Sequence, residues 1–211
     1  MRWLLPILLL PLGCDPTFAD DAAALAAQLG ATTSPTVDLP TSYRFEIDQG
    51  DHHSNHDFVA RPHLGSHVDR LLRFTAVFEA DAEYLTANPL NQSDWNKLMG
   101  LTTDRIHQNS IRLGWRWNPV SRRVELGFYG YLAGTQTMTM LTDVGLGESI
   151  DCELRMTDTG LEVRAGGASH QEQGSLGAGF VVSWVLHSAY FGGDETAPHD
   201  IHVDVTNVMA Q

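Results

Sequence analysis

Between Arg105 and Ala133, apolar and polar residues alternate with period two along two arms, Arg105–Trp117 and Arg123–Ala133. Alternation of that kind marks strands with one buried face. Asn118-Pro119-Val120-Ser121-Arg122 between the arms carries turn chemistry: proline presets φ, and asparagine and serine satisfy turn backbone locally. The stretch predicts one β-hairpin, and its pattern selects a register. With Asn118 opposite Arg123, Trp117 faces Val124, Trp115 faces Leu126, Leu113 faces Phe128 and Ile111 faces Gly130. The other face then pairs Arg116 with Glu125, Gly114 with Gly127, Arg112 with Tyr129 and Ser110 with Tyr131. A slip of one residue would set Arg112 against Phe128 and mix the faces, because each step turns a strand's side chains over.

The same periodicity continues from Thr41 onward. Tyr43–Asp48 alternates, Arg70–Glu79 is a denser apolar strand, and Thr135–Leu141 alternates threonine and glutamine with methionine. Ser149–Thr157 puts Ile150, Cys152, Leu154 and Met156 on one face and Asp151, Glu153 and Arg155 on the other. Thr157-Asp158-Thr159-Gly160 is a turn leading into Leu161–Ala165, and Phe180–Phe191 and Asp200–Val208 close the domain. Only Ser93–Leu98 and the region before Thr41 hint at helix. Short strands separated by Gly- and Asp-rich turns indicate a sandwich or barrel, so the fold class is all-β. No internal repeat is visible.

The polar face of the hairpin carries the candidate chemistry. It sets Tyr129 and Tyr131 two residues apart, Arg112 beside them, Ser110 and Gln108 beyond, the Arg116–Glu125 pair at the other end, and a Gly114–Gly127 pair that leaves a shallow gap. Tyrosine and arginine offer flat area with a hydrogen-bonding tip, which suits sugar rings and carboxylates. An ordinary outer face, held by cross-strand Arg–Tyr and Arg–Glu pairs worth about 0.2–1 kcal/mol each, accounts for the same letters.

Charge sharpens the picture. The 211-residue chain carries 26 acidic and 13 basic residues, a formal net charge of −13. That argues against nonspecific nucleic-acid binding, which depends on neutralising phosphates. Yet Arg105, Arg112, Arg116, Arg122 and Arg123 all fall in the hairpin, so an acidic protein with one basic ribbon suits an anionic ligand there. The chain is long enough for one domain with a substantial core.

Met1–Gly13 has a basic start at Arg2 and a short apolar run, too short to span a bilayer, and reads as an export signal. Leu12-Gly13-Cys14 resembles a lipoprotein signal, in which Cys14 would be lipidated, although Pro11 stands where an aliphatic residue is usual. Thr17-Phe18-Ala19 offers a rival, ordinary cleavage site. The organisation read from the sequence is a signal peptide over 1–14, a linker over 15–40 with a short helix at 20–30, and a domain over 41–211. The protein is expected to be exported, either periplasmic or membrane-anchored through Cys14, and otherwise secreted. The only other cysteine, Cys152, lies on an apolar strand face, so no disulfide framework is implied.

Gly50–His67 holds His52, His53, His56, His63 and His67, half of the ten histidines, and reads as a long polar loop. With Asp51 or Asp57 its imidazoles offer ligands for a transition metal, but their spacing matches no known site. His107 falls on the dry side of the hairpin and reads as an edge or core residue. Near the last strand, Gly192–Asp200 is expected to approach Asp48–Asp51, because first and last strands of such a sandwich often pair. Asp48 and Asp200 are then weak candidates for Ca²⁺, which takes six to eight oxygens.

The ordered series Asp94-Trp95-Asn96-Lys97-Leu98, then Ile106-His107-Gln108-Asn109-Ser110-Ile111-Arg112-Leu113-Gly114-Trp115, then Tyr129-Gly130-Tyr131, then Tyr190-Phe191-Gly192-Gly193-Asp194 with Ala197-Pro198-His199-Asp200-Ile201, resembles a group of largely uncharacterised exported bacterial proteins. The resemblance covers Tyr43–Val205 and implies a concanavalin A-like jelly roll. That wider fold is similar to the one used by alginate- and glucuronan-type polysaccharide lyases and by jelly-roll glucanases, although one fold hosts many functions. The lyase pattern is departed from: His107 and Gln108 stand in reversed order, and Tyr190-Phe191-Gly192 lacks the lysine and the later tyrosine. For a lyase, the resemblance implies Tyr131 or Tyr129 as the proton-transfer group, with Arg112 and Gln108 neutralising a uronate carboxylate. A glucanase would need paired carboxylates, for which Asp151 with Glu153, or Asp200 with Asp204, have the spacing. Three functions therefore stay open: a noncatalytic binder of a polysaccharide on a concave sheet face, a lyase or hydrolase using the same groove, and a structural surface lipoprotein.

Overall fold

The computed structural model describes residues 40–65, 68–103, 106–176 and 181–211. The export signal, Cys14 and nearly all of the 15–40 linker lie outside the described residues. From Val37 onward the chain forms one compact unit. Its strands are β1 Tyr43–Ile47, β2 His53–Gly65, β3 Asp69–Phe78, β4 Asn96–Thr103, β5 Ser110–Asn118, β6 Arg123–Leu132, β7 Thr135–Val144, β8 Ser149–Thr157, β9 Gly160–Ala165, β10 Ala168–Gln173, β11 Val181–Tyr190 and β12 Ile201–Ala210. Helix is confined, among the described residues, to the 3-10 turns Ala80–Ala82 and Pro89–Ser93.

Two antiparallel layers result. The first runs β10-β9-β8-β3-β12-β1 and the second β2-β11-β4-β5-β6-β7. A single rung, Ile47 opposite Ser54, joins β1 to β2 and makes the order continuous. Rings and aliphatic side chains from both layers meet between them: Trp115, Trp117, Phe128, Leu113 and Ile111 from the second, and Phe45, Phe78, Leu72, Leu154 and Val163 from the first, all buried. The predicted β8 alternation holds, with Ile150, Cys152, Leu154 and Met156 inside. This is the all-β sandwich expected from the pattern, with the jelly-roll architecture that the resemblance implied.

The hairpin register also holds rung for rung, from Asn118 opposite Arg123 to Ser110 opposite Tyr131. Other expectations need correction. Gly50–His67 is not a long loop, because His53–Gly65 is β2 and pairs with β11. Its polar, histidine-rich sequence has little strand propensity of its own, and partner strands decide the outcome. Ser93–Leu98 is not helical: a 3-10 turn ends at Ser93 and β4 begins at Asn96. β10, a segment to which the pattern assigned no element, is a strand on the edge of the first layer. His107 does not face the core; it sits exposed in the turn before β5, edge-on to Tyr131 with ring centroids 5.2 Å apart.

Candidate functional site

Because every pairing in the second layer is antiparallel, rungs carry a face from strand to strand. Across its outer side, His53, Tyr190, Lys97, Gly114, Gly127 and Met140 lie in one transverse row. The next row brings Gly100, Arg112, Tyr129 and Met138 together, and the one beyond it Thr102, Ser110, Tyr131 and Gln136. Arg112 and Tyr129 therefore share a face.

Rings and one amine form a chain along this surface. His52 stacks on Tyr190 at 5.3 Å, and His53 meets the same ring edge-on at 5.0 Å. The Lys97 Nζ lies 4.9 Å from the Tyr190 ring centre and 4.8 Å from that of Tyr129. Tyr129 in turn meets Tyr131 edge-on at 6.1 Å. Gln136 Nε2 donates to the Tyr129 hydroxyl at 2.7 Å. Burial, then the neighbouring Tyr131, push the Tyr129 phenol well above its ordinary pKa, so it stays protonated. Burial, then the nearby positive Arg112, pull Lys97 down to about 8, and Asp94 opposes that only partly.

Arg112 is half-buried. Its Nε donates to the Leu98 carbonyl at 3.2 Å and its Nη2 to the Ser188 carbonyl and hydroxyl at 3.0 and 2.6 Å. These bonds fix the guanidinium between β4 and β11, so its charge is held beside Lys97.

The Gly114–Gly127 gap is not open. The Trp95 indole fills it: a Cβ at Gly127 would come within 2.8 Å of that ring and one at Gly114 within 3.1 Å. Arg116 covers the indole's other side, its Cζ 4.4 Å from the ring centre. Arg116 also pairs with Glu125 at 2.7 Å and donates to the Ser93 carbonyl at 2.6 Å, while Glu125 accepts from Asn118 at 2.6 Å. Arg116 and Glu125, predicted as ligand-binding, instead clamp the segment that carries Trp95. Glu195 holds the chain leading into that segment, accepting from the backbone of Ala87 and Asn88 and from the Asn91 side chain. Ser110 is buried and donates to the Ile106 carbonyl. Gln108 stands exposed in a turn beside Gly134, off the strand. Of the seven predicted ligand residues, the structure gathers Arg112, Tyr129 and Tyr131. It adds Lys97 and Tyr190, which the sequence reading missed, and His52 and His53, which that reading offered only as metal ligands in a loop; one signal was available, since Lys97 is the chain's single lysine.

The other candidates fall elsewhere. Asp151 and Glu153 point outward from the first layer, where Thr75 donates to Asp151 and Arg73 pairs with Glu153. Asp204 is bound by Arg44. The loops around Asp48 and Asp200 do meet as expected, through Gly50 N–H to the Ala197 carbonyl and Ala197 N–H to the Asp51 carbonyl. Asp200, however, caps the Gln49 N–H at 2.8 Å, and neither carboxylate joins a cluster of three ligating side chains among the described residues. The cluster that does form is Glu79, Asp81 and His202, within 4.8 Å. Each member is already engaged: Glu79 by Arg44, and Asp81 by the His202 ring at 2.6 Å and its backbone N–H at 2.9 Å. The donor set gives no reason to prefer Ca²⁺.

No family model matches the chain, and no curated protein matches it in sequence. Solved structures do. The alginate lyase from Klebsiella pneumoniae superposes with a TM-score of 0.54 at 14% identity, covering 68% of this chain and 59% of that one, so this chain spans about three-fifths of its length. Alginate lyase vAL-1 from Chlorella virus gives 0.54 at 12% identity, over 86% of this chain and 88% of that one. The alginate lyase from Alteromonas sp. 272 gives 0.52 at 11%, over 85% and 90%. At such identities the likeness shows the fold: this chain has the jelly-roll sandwich that those lyases have.

Proposed function

We propose that the protein binds an acidic polysaccharide across the outer side of its second layer, along Tyr190, Lys97, Tyr129 and Tyr131 with Arg112 beneath. One observation carries this reading. A chain of net charge −13 places two cationic side chains among three tyrosine rings on one sheet face. Rings give sugar its apolar platform, and the cations suit a carboxylate. The exposed Met138 and Met140 extend the apolar platform along β7. The fold shared with alginate lyases supports a polysaccharide ligand at the level of architecture. The leader read at Met1–Cys14 supports action outside the cytoplasm, with Cys14 as a lipid anchor.

The test is affinity electrophoresis in gels carrying polymannuronate, polyguluronate, polyglucuronate or a neutral glucan. Retardation by a polyuronate and not by the glucan is expected. Tyr129→Ala and Tyr131→Ala should each lose retardation while circular dichroism stays unchanged. Arg112→Ala should do the same, provided the fold survives loss of its bonds to Ser188 and Leu98. No retardation by any polymer overturns the reading and leaves a structural surface role.

A second reading, elimination on the bound polymer, is favoured by the pairing of a readily deprotonated amine with a phenol that stays protonated. The hydrolase alternative finds no carboxylate pair on this face among the described residues, since Asp151 and Glu153 belong to the other layer.

A further inference from the structure

The continuous strand order has two ends, β10 and β7. An edge strand presents unpaired N–H and C=O groups, a template for another strand, and is ordinarily guarded by shortness, charge or proline. β10 is guarded: it has six residues, and His170 and Glu172 pair along it at 2.9 Å. β7 is not. It has ten residues and carries no charge, proline or glycine from Thr135 to Thr142. Four of the ten are threonine, a residue that favours strands. Its irregularity, a bulge between Met140 and Thr142, leaves Thr135–Met140 in unbroken register with β6. Among the described residues, no backbone hydrogen bond joins β7 to any strand but β6. Met138 and Met140 on its outer side are 49% and 44% exposed, large apolar groups that a free edge leaves uncovered.

We propose that β7 pairs antiparallel with β7 of a second copy of this chain, about a two-fold axis at Met138. Met138 is the middle of the alternating stretch Thr135–Leu141, and that stretch is self-complementary. With Met138 on the axis, Thr137 faces the partner's Thr139 and Gln136 faces the partner's Met140. Threonine thus meets threonine, and outer residues meet outer residues. A shift by one would set threonine against methionine and turn one copy's faces over.

Charge selects the place and the partner. Two bodies of net charge −13 repel, so they meet where neither carries charge. The carboxylates nearest the C-terminal end of the strand, Asp143 and Glu148, are both already paired with Arg123. The stretch offers a foreign partner no charge to recognise, and it offers an identical strand a matching row of threonines. A seam of one strand pair is small beside the roughly 1,200–2,000 Å² of a stable interface, so the dimer should be weak and concentration-dependent. An axis normal to the sheet keeps outer face with outer face, so Tyr129, Tyr131, Met138 and Met140 of both copies share one surface. The pairing itself does not depend on the polysaccharide reading.

The test uses the full chain. Sedimentation velocity through the micromolar and submillimolar range should show monomer passing to dimer, more readily as added salt screens the two acidic bodies. Met138→Lys sets two like charges together at the axis and should hold the chain monomeric, with circular dichroism unchanged. Gln171→Lys adds the same charge to an exposed position of β10 and should leave dimerisation as it was. In a Cys14→Ser background, Met138→Cys should form an intermolecular disulfide under mild oxidation, because the two Cβ atoms oppose each other at the axis. Gln171→Cys should not, and Cys152 is buried and takes no part. Any one of three results overturns the proposal: a natural chain monomeric throughout, a dimer unchanged in Met138→Lys, or cross-linking through Gln171→Cys in preference to Met138→Cys. Each of them leaves the polysaccharide reading to its own test by affinity electrophoresis.

Discussion

The indole of Trp95 rests on the bare backbone of Gly127, so close that a methyl group there would meet the ring at 2.8 Å. The Thr139 carbonyl blocks the same space at 2.7 Å. Gly127→Ala should therefore destabilise the fold by about 1–3 kcal/mol, as overpacking does. Urea denaturation reads the loss, and intrinsic fluorescence should report a displaced indole. Gly167→Ala, where an added Cβ meets nothing within 4 Å, is the control and should be near neutral.

Lys97 predicts how stability depends on pH. Its pKa falls from the ordinary lysine value of 10.5 to about 8 on folding, so between those values the unfolded chain holds more protons. Stability should rise as pH goes from about 8 to about 10.5, wherever other groups are silent. Lys97→Met should flatten that rise and be more stable at pH 7 by roughly 1–3 kcal/mol, given that each pKa unit is about 1.4 kcal/mol and the amine keeps some solvent contact. An identical pH slope in the variant would contradict the burial argument.

His202 should act with the opposite sign. Its bond to Asp81, which outweighs burial, raises its pKa, so the interaction is complete below the histidine's ordinary value of about 6.5. Stability from this pair should fade as pH rises through the raised value. Asp81→Asn should abolish the trend, detectable in melting temperatures taken from pH 5 to 9. The asparagine oxygen can still accept from the His202 backbone N–H, so above the raised value the variant should lie close to the natural chain.

Cys152 is buried in the core, and burial, aided slightly by Asp151, pushes its thiol far above the ordinary range. In a Cys14→Ser protein, a disulfide reagent at pH 8 should therefore label nothing until urea unfolds the domain. Rapid labelling of the native state would mean that β8 opens on the timescale of the reagent.

Much of the architecture was legible because it is written in period-two alternation. The hairpin register followed from four apolar rungs, and β8 from Ile150, Cys152, Leu154 and Met156. β2 and β10 were not legible, since their polar and histidine-rich residues become strands only through their neighbours. The site was half legible. Arg112, Tyr129 and Tyr131 share a strand pair, and local pattern places them together. Lys97 and Tyr190 reach them from β4 and β11, a juxtaposition that only the strand order reveals. Arg116 and Glu125 misled for a related reason: the tryptophan they hold is twenty residues or more away in the chain, and nothing in the hairpin announces it.

The last strand, β12, lies in the interior of its layer, between β3 and β1, and Gln211 exchanges backbone hydrogen bonds with Leu71. Neither Tyr43–Ile47 nor Asp69–Phe78 can complete its ladder until Ile201–Ala210 arrives. A chain in the course of folding thus holds two unfinished sheet edges until β12 inserts between them. Closure of the first layer therefore depends on pairings remote in sequence, which form more slowly than local ones.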